Sequence, residues 1–553
     1  MKKRRIIYML ILASAVILVS ACGNTKSESA KDAKNSKADS EKVFKFGIPQ
    51  ELASIDPAIA TDKVSFGAMN QFYEGLYRMN AKNEPEPAGA AELAEKSEDG
   101  LEYKIKLRKD AKWSNGDPVV AADYVYAWQR VADPKTGAEY AYFVEPVKNG
   151  AAIIKGEKQP NELGIEAIGD DQLKITLDNP VPYFDKLLAF PTFFPLQQKF
   201  VEEKGKQFGT STENSLYNGP FTLEEFDGPG SDLEWKYVKN EKYWDKDQVK
   251  MKEIGAFVVK ESSTGLNLYE DGQLDDVILT GELAQQFRDN EDYVLDKEGR
   301  TIYIDLNQKD KNKPFHNVHL RKALSYAIDS KAIVDKVLGD GSTVATGIVP
   351  TDLAVNPETK KDFVKDSKVY KEYDPKKAKE YLDKAKKELN VDKIKFDILT
   401  DDNDSTKKIA EFIQGAFQDK LGIEASVTAV TKPIRLERSG KGDFDIVLAG
   451  WGADYNDPSS FIDLFETGNA YNRGGYSNPE YDKLVRAAKT TNVNDPKARW
   501  QNFLDAEKIL LGDDAGIIPI YQVAEGHLRN PQMKGYVSHT AGASYEYKGI
   551  KAE

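Results

Sequence analysis

Cysteine is almost missing from this chain: 553 residues contain one, Cys22. No internal disulfide can form, so stability has to come from buried cores. Histidine is nearly as scarce, at four residues. His316 and His319 have no carboxylate between them, and the HExxH spacing of a zinc hydrolase is absent. GGYSNP (474–479) carries proline where a nucleophile elbow needs its second glycine. No P-loop and no dinucleotide fingerprint occurs. DDNDST (401–406) has Thr406 where a calcium loop requires glycine and Phe412 where it requires glutamate, so it reads as a strand-to-helix turn with Ser405 as N-cap. Positive charge is also short. The formal net charge is −13, which excludes the basic footprint of a nucleic-acid-binding protein. This inventory predicts no catalytic residue, no metal site and no cofactor, and it favours binding over catalysis.

Long apolar runs are absent except for one at the start. Lys2, Lys3, Arg4 and Arg5 precede the run Ile6 to Ala21, which is short of the roughly 20 apolar residues of a spanning helix. The basic, apolar and small-residue order is that of a secretion signal over 1–21. It ends Val19-Ser20-Ala21-Cys22, which resembles the bacterial lipobox, so Cys22 is the expected lipidation site. Two acyl chains suffice for stable anchoring where one does not. Residues 22–42 continue as GNTKSESAKDAKNSKADSEK after the cysteine, without a large apolar side chain, and read as a flexible tether. Gly23 follows the cysteine, with no aspartate to retain the protein at an inner membrane. The expected location is therefore the outer face of the plasma membrane of a Gram-positive-type cell, with the membrane touched only through the lipid.

The remaining residues, 43–553, exceed one core and suit two to four domains. VFKFGIP (43–49), YKIKLRK (103–109), LKITLD (173–178) and KIKFDILT (393–400) alternate as half-buried strands do. IGAFVVK (254–260), FDIVLAG (444–450) and GIIPIYQV (516–523) read as inner strands. Helical spacing spans 320–338, 375–389, 405–422 and 495–512. Asp495-Pro496 opens the last of these and Gly512 closes it. The class is α/β, and a cleft between lobes is the natural place for a ligand.

Three stretches narrow this further: LEYKIKLRKDAKWSNGDPVVAADYVYAWQR (101–130), NQKDKNKPFHNVHLRKALSYAID (307–329) and FDIVLAGWGADYNDPSSF (444–461). Together they resemble the family 5 solute-binding proteins of ABC importers, most closely the oligopeptide-binding branch, in order from about Val43 to Gly549. The resemblance implies a two-lobed periplasmic-binding-protein-like fold (type II, cluster C) with an extra inserted domain. Lobe I would be 43–73, 200–301 and 521–553, the inserted domain 74–199, and lobe II 302–520. It implies a monomer that encloses oligopeptides as extended strands and passes them to the permease and ATPase subunits of a peptide importer. A peptide-pheromone receptor feeding the same importer fits equally. A chaperone-like or adhesive surface lipoprotein is the rival from another class.

Within the resemblance, Asp454 matches the aspartate that meets the peptide α-amino group. Gly450 and Gly452 would expose backbone to the ligand, and Trp451 would wall a pocket. Tyr140 matches a ligand-contacting tyrosine of the inserted domain. Thr61 to Lys63 match a segment that pairs with peptide backbone, and Arg438 aligns, across a one-residue insertion, with an arginine near the ligand. Tyr217-Asn218-Gly219-Pro220 matches a structural turn. Other positions depart from the pattern. Leu448 stands where some members hold the peptide carboxylate with arginine, Thr406 where they have histidine, and Thr431 where they have a pocket tryptophan. These losses imply loose control of peptide length.

Overall fold

Two unusually long strands, Tyr293–Leu306 and Ile517–Arg529, run antiparallel through the middle of the molecule and organise everything else. The computed structural model describes residues 43–368 and 372–553; the leader, Cys22 and the tether lie outside the described residues. On one side of the long pair, the sheet continues through Ile446–Gly452, Lys395–Asp401 and Glu424–Val430. On the other it continues through Asp276–Leu279, Phe44–Ile48, Glu253–Val258, Glu234–Lys239 and Phe221–Glu224. Lys395–Asp401 pairs in parallel with both of its neighbours, and so does Phe44–Ile48. Each lobe thus has a parallel core, as expected where helices cover both faces.

The long strands join the lobes. Their mutual register slips between Lys297 and Thr301 and again between Ile302 and Tyr303. Such irregularities bend a strand and break its ladder. They fall where the sequence places the crossover from lobe I to lobe II. On the lobe II side, Ile302, Ile304, Leu306, Ile518 and Ile520 are buried against Leu320, Leu324, Ile409 and Phe417 in one core.

The inserted region carries its own antiparallel sheet, ordered Glu95–Lys96, Glu102–Lys106, Gln172–Thr176, Ile165–Ala167. The helix Ala121–Ala132 buries Tyr124 and Trp128. Trp113 Nε1 donates to Asp123 Oδ2 at 2.9 Å, so the indole pays no desolvation penalty. The Tyr217–Pro220 turn is structural. Asn218 bonds both the N–H and the carbonyl of Glu74. A Cβ at Gly219 would lie 2.7 Å from the backbone of Phe72 and Tyr73, so only glycine fits.

Most expected elements form, with three corrections. The helix at 405–422 is Asp404–Leu421, and its N-cap is Asn403, not Ser405. Asn403 Oδ1 accepts from Thr406 N at 3.1 Å, while the Ser405 hydroxyl donates to that same oxygen. The continuous helix expected over 320–338 stops at Ala327. Asp329 then caps a new turn by accepting from Ala332 N at 2.9 Å, and a π-turn follows over Ile333–Leu338. An aspartate inside an apolar period competes for backbone N–H groups and restarts the helix. The last helix opens at Asp495-Pro496 as expected, but Gly512 lies inside a closing π-turn, Lys508–Asp513, and does not end the helix.

Candidate binding site

The strand Ile446–Gly452 ends at the bulged stretch of its neighbour, with Gly450 opposite Ile302 and Gly452 opposite Arg300. The chain then turns, tied by Ala453 N to the Gly299 carbonyl at 2.7 Å. Asp457 fixes the turn from below. It caps the following helical turn through Ser459 N and holds Arg499 by two bonds of 2.7 and 2.8 Å. Asp454 N donates to Ser460 Oγ at 2.8 Å. The Asp454 carboxylate is thereby aimed at a cavity between the lobes that it lines with Tyr140 and Trp451. The empty space there amounts to about 1660 Å³, open solvent at its mouth included.

Asp454 is only 7% exposed, yet it has no cation beside it among the described residues. Oδ1 accepts from the Tyr140 hydroxyl at 3.1 Å, and Oδ2 is buried without a hydrogen-bond partner. Burial pushes its pKa well above the ordinary carboxylate value, and the Tyr140 bond offsets this only in part. A buried acid in this condition is stabilised by any cation that can reach it.

Aromatic rings wall that end of the cavity. Trp451 stacks on Tyr140 at 6.0 Å between centroids and meets Tyr471 edge-on at 4.2 Å. Its Nε1 is buried and, like Asp454 Oδ2, has no hydrogen-bond partner among the described residues. Tyr471 also crosses the cleft, because its hydroxyl donates to the Thr61 carbonyl at 2.6 Å. Arg473 reaches Glu139 of the inserted region at 2.5 Å. Farther along the cleft, Lys260 binds both Glu51 and Asp402 at 2.7 Å. These contacts hold the lobes together.

The remaining expected residues divide. Thr61 and Lys63 line the cavity, but Asp62 caps the helix Lys63–Phe72, so Lys63 is helical and not extended. Its ammonium pairs with Glu298 on one long strand and lies 3.8 Å from Glu525 on the other. Burial lowers its pKa to about 8, although Glu525 pulls the other way. Gly452 faces open space, whereas a Cβ on Gly450 would strike Ile302 Cδ1 at 2.5 Å. At Gly450 the missing Cβ thus leaves room for Ile302, and the residue also lines the cavity. Arg438 is not on the cavity wall; it pairs with Asp443 at 2.9 Å. The cavity-lining arginine of that helix is Arg435, together with Lys432, Leu436 and Ser439. The sequence reading missed them, although the spacing 432, 435, 436, 439 is one helix face. Arg300, Tyr471 and Arg473 were missed too, and no local pattern marks them.

A second cavity, about 740 Å³ with its mouth, shares Gln50, Ile278, Arg300 and Glu525 with the first. Thr406 lines it. Leu448 is instead buried in the lobe II core.

A large cleft closed between two lobes, lined by aromatic rings and by a buried acid without a cation, is a site of the kind a solute-binding protein presents. The chain belongs to the bacterial extracellular solute-binding proteins, family 5, whose family model matches residues 84–473. It is 37% identical to a dipeptide-binding protein of Lactococcus lactis over 562 residues, covering 99% of both chains. Listeria monocytogenes OppA bound to peptide superposes with a TM-score of 0.89 at 42% identity, covering 93% of this chain and 99% of that one. The pheromone receptor PrgZ gives 0.89 at 40%, covering 93% and 100%. Two structures of murein tripeptide-binding protein MppA, each 29% identical to this chain, bear on conformation. Its unliganded open form scores 0.60 and its other structure 0.82. The cross-cleft contacts and these scores agree that the lobes are closed here.

Proposed function

We propose that this protein captures oligopeptides in the interlobe cavity, holds their α-ammonium on Asp454, and delivers them to an ABC peptide importer. The observation that carries the reading is Asp454 itself, buried, facing the cavity, and with Oδ2 unpaired. An ammonium entering a closed cleft loses its water and needs such an acid. The bond would contribute roughly 1.5–3 kcal/mol. Trp451 Nε1 offers a donor to the same ligand, and Tyr140 keeps the carboxylate in place. Thr61 and Lys63 form the facing edge, and Gly452 leaves room for backbone to approach.

In this reading, lobe I is 43–73, 200–301 and 521–553, the inserted domain 74–199 and lobe II 302–520. The bulges at 297–303 supply the hinge on one crossover strand. The chain acts as a monomer, anchored through lipidated Cys22 on the outer face of the plasma membrane. Replacing Cys22 with alanine should release it into the medium and abolish palmitate labelling; retention on the membrane would end the anchor reading.

The peptide reading is tested by calorimetry with a pentapeptide on refolded, peptide-free protein. Asp454→Asn should weaken binding by about 2–5 kcal/mol, the usual cost of stranding one partner of a buried pair. That is roughly 30- to 4000-fold. An unchanged Kd in a folded variant would remove Asp454 from the site. A signalling role is the second reading, favoured by the similarity to the receptor PrgZ. It predicts tight, sequence-selective binding of one peptide, where a nutritional role predicts a broad range.

A further inference from the structure

We infer that Arg300, Lys432 and Arg435 form a carboxylate-accepting subsite in the wall of the cavity, separate from Asp454. The inference rests on the peptide reading above. Lys432 and Arg435 lie less than one turn apart on the helix Lys432–Lys441, and both line the cavity. They share a single acid. Lys432 Nζ lies 3.0 Å from Asp401 Oδ2, and Arg435 Nε lies 2.9 Å from Asp401 Oδ1. Among the described residues, the terminal nitrogens of Arg435 have no hydrogen-bond acceptor. Arg300 comes from the neighbouring strand and lies over Gly450, where a Cβ would sit 3.3 Å from its Nε. Its nearest acid is Glu298 at 3.8 Å, already taken by Lys63.

Three cations therefore face the cavity: Lys432 and Arg435 share Asp401, and Arg300 has Glu298 at 3.8 Å. Like charges set side by side in a cleft repel one another, and a further anion among them relieves that repulsion. The strain registers on Lys432: burial, then Arg435, lower its pKa to about 8, with Arg300 adding to the effect and Asp401 and Asp62 opposing it. Arg300 also lines both cavities, so a ligand passing from one to the other passes its guanidinium. A planar guanidinium with free N–H groups is the natural partner of a carboxylate. That carboxylate has two sources in a peptide: an aspartate or glutamate side chain, or the C-terminus.

Calorimetry separates them. Pentapeptides with free amines carry glutamate or glutamine at each of positions 2 to 5, each with a free or amidated C-terminus. The subsite predicts at least tenfold tighter binding for glutamate at one position, if the side chain fills it. It predicts at least tenfold tighter binding of the free over the amidated C-terminus, if the terminus does. Either preference should collapse below threefold in Arg300→Gln and in Arg435→Gln. Arg435→Gln also disturbs the buried Asp401 cluster and can unfold the lobe. Arg300→Gln leaves that cluster intact and keeps the test sound. If every peptide binds alike, or the preference survives Arg300→Gln, the subsite is wrong while the peptide reading stands. If no peptide binds, the peptide reading falls and takes the subsite with it.

Discussion

Removing one oxygen atom from Tyr471 should loosen the closed form without damaging the fold. Its hydroxyl donates across the cleft to the Thr61 carbonyl at 2.6 Å, a bond that exists only when the lobes meet. Tyr471→Phe keeps the ring edge-on to Trp451 at 4.2 Å, so the aromatic wall survives. In an open form, water would satisfy the Thr61 carbonyl; in the closed form of the variant nothing replaces the phenol. A neutral hydrogen bond of this kind contributes about 0.5–1.5 kcal/mol net. Binding is coupled to closure, so the whole loss should be seen in apparent affinity. The Kd for a pentapeptide should rise roughly 2- to 13-fold. Most of that should come from faster dissociation, since the bond forms after encounter. Calorimetry gives the affinity and stopped-flow the rates, while the melting temperature without peptide should hold. An unchanged Kd would show that this bond is no latch. A drop in the stability of peptide-free protein with no change in Kd would show that it belongs to both forms.

Two further predictions concern a buried ion pair and the length of the ligand. His527 Nδ1 donates to Asp276 Oδ1 at 2.6 Å in the buried sheet; burial lowers its pKa, but Asp276 outweighs this and raises it to about 9. Because the folded pKa exceeds the ordinary 6.5, His527 stabilises the fold fully below pH 6.5 and loses that contribution as pH rises through 9, by about 3 kcal/mol at most. Lys63 acts in the opposite sense as it deprotonates near pH 8, so the readout is the difference between wild type and His527→Gln across pH 6–10. Identical pH slopes would contradict the assignment. As for length, the second cavity continues past Arg300, and Thr406 there offers no charged stop. C-terminally amidated peptides of five and nine residues should bind within about fivefold of each other, and a sharp fall between them would show a closed end.

What the sequence made legible follows from how local each feature is. The strand expected over 393–400 forms as Lys395–Asp401, and the helix expected over 375–389 forms as Pro375–Leu389, where alternation and helical spacing placed them. Caps were harder, because Asn403, Asp404 and Ser405 all offer suitable side chains and only geometry chose Asn403. The cavity wall was legible where it is contiguous, at Gly450 to Asp454. It was illegible where it depends on folding. Tyr140 and Asp454 are 314 positions apart and Tyr471 and Thr61 are 410 apart, and no periodicity reports such meetings. Alignment chose Arg438, whereas the helix turned Arg435 to the cavity, a shift of less than one turn that decides which cation a ligand meets.

The account stands or falls on whether Asp454 receives a peptide amine. Pentapeptides with free and with N-acetylated amino termini, titrated calorimetrically into refolded protein stripped of ligand, test this directly. Acetylation removes the cation and leaves backbone and side chains unchanged. The account predicts at least a tenfold loss of affinity on acetylation, and no further loss from acetylation in Asp454→Asn. Equal binding of both forms to the wild-type protein would contradict it and would favour a chaperone-like surface that holds extended chains without reading their ends.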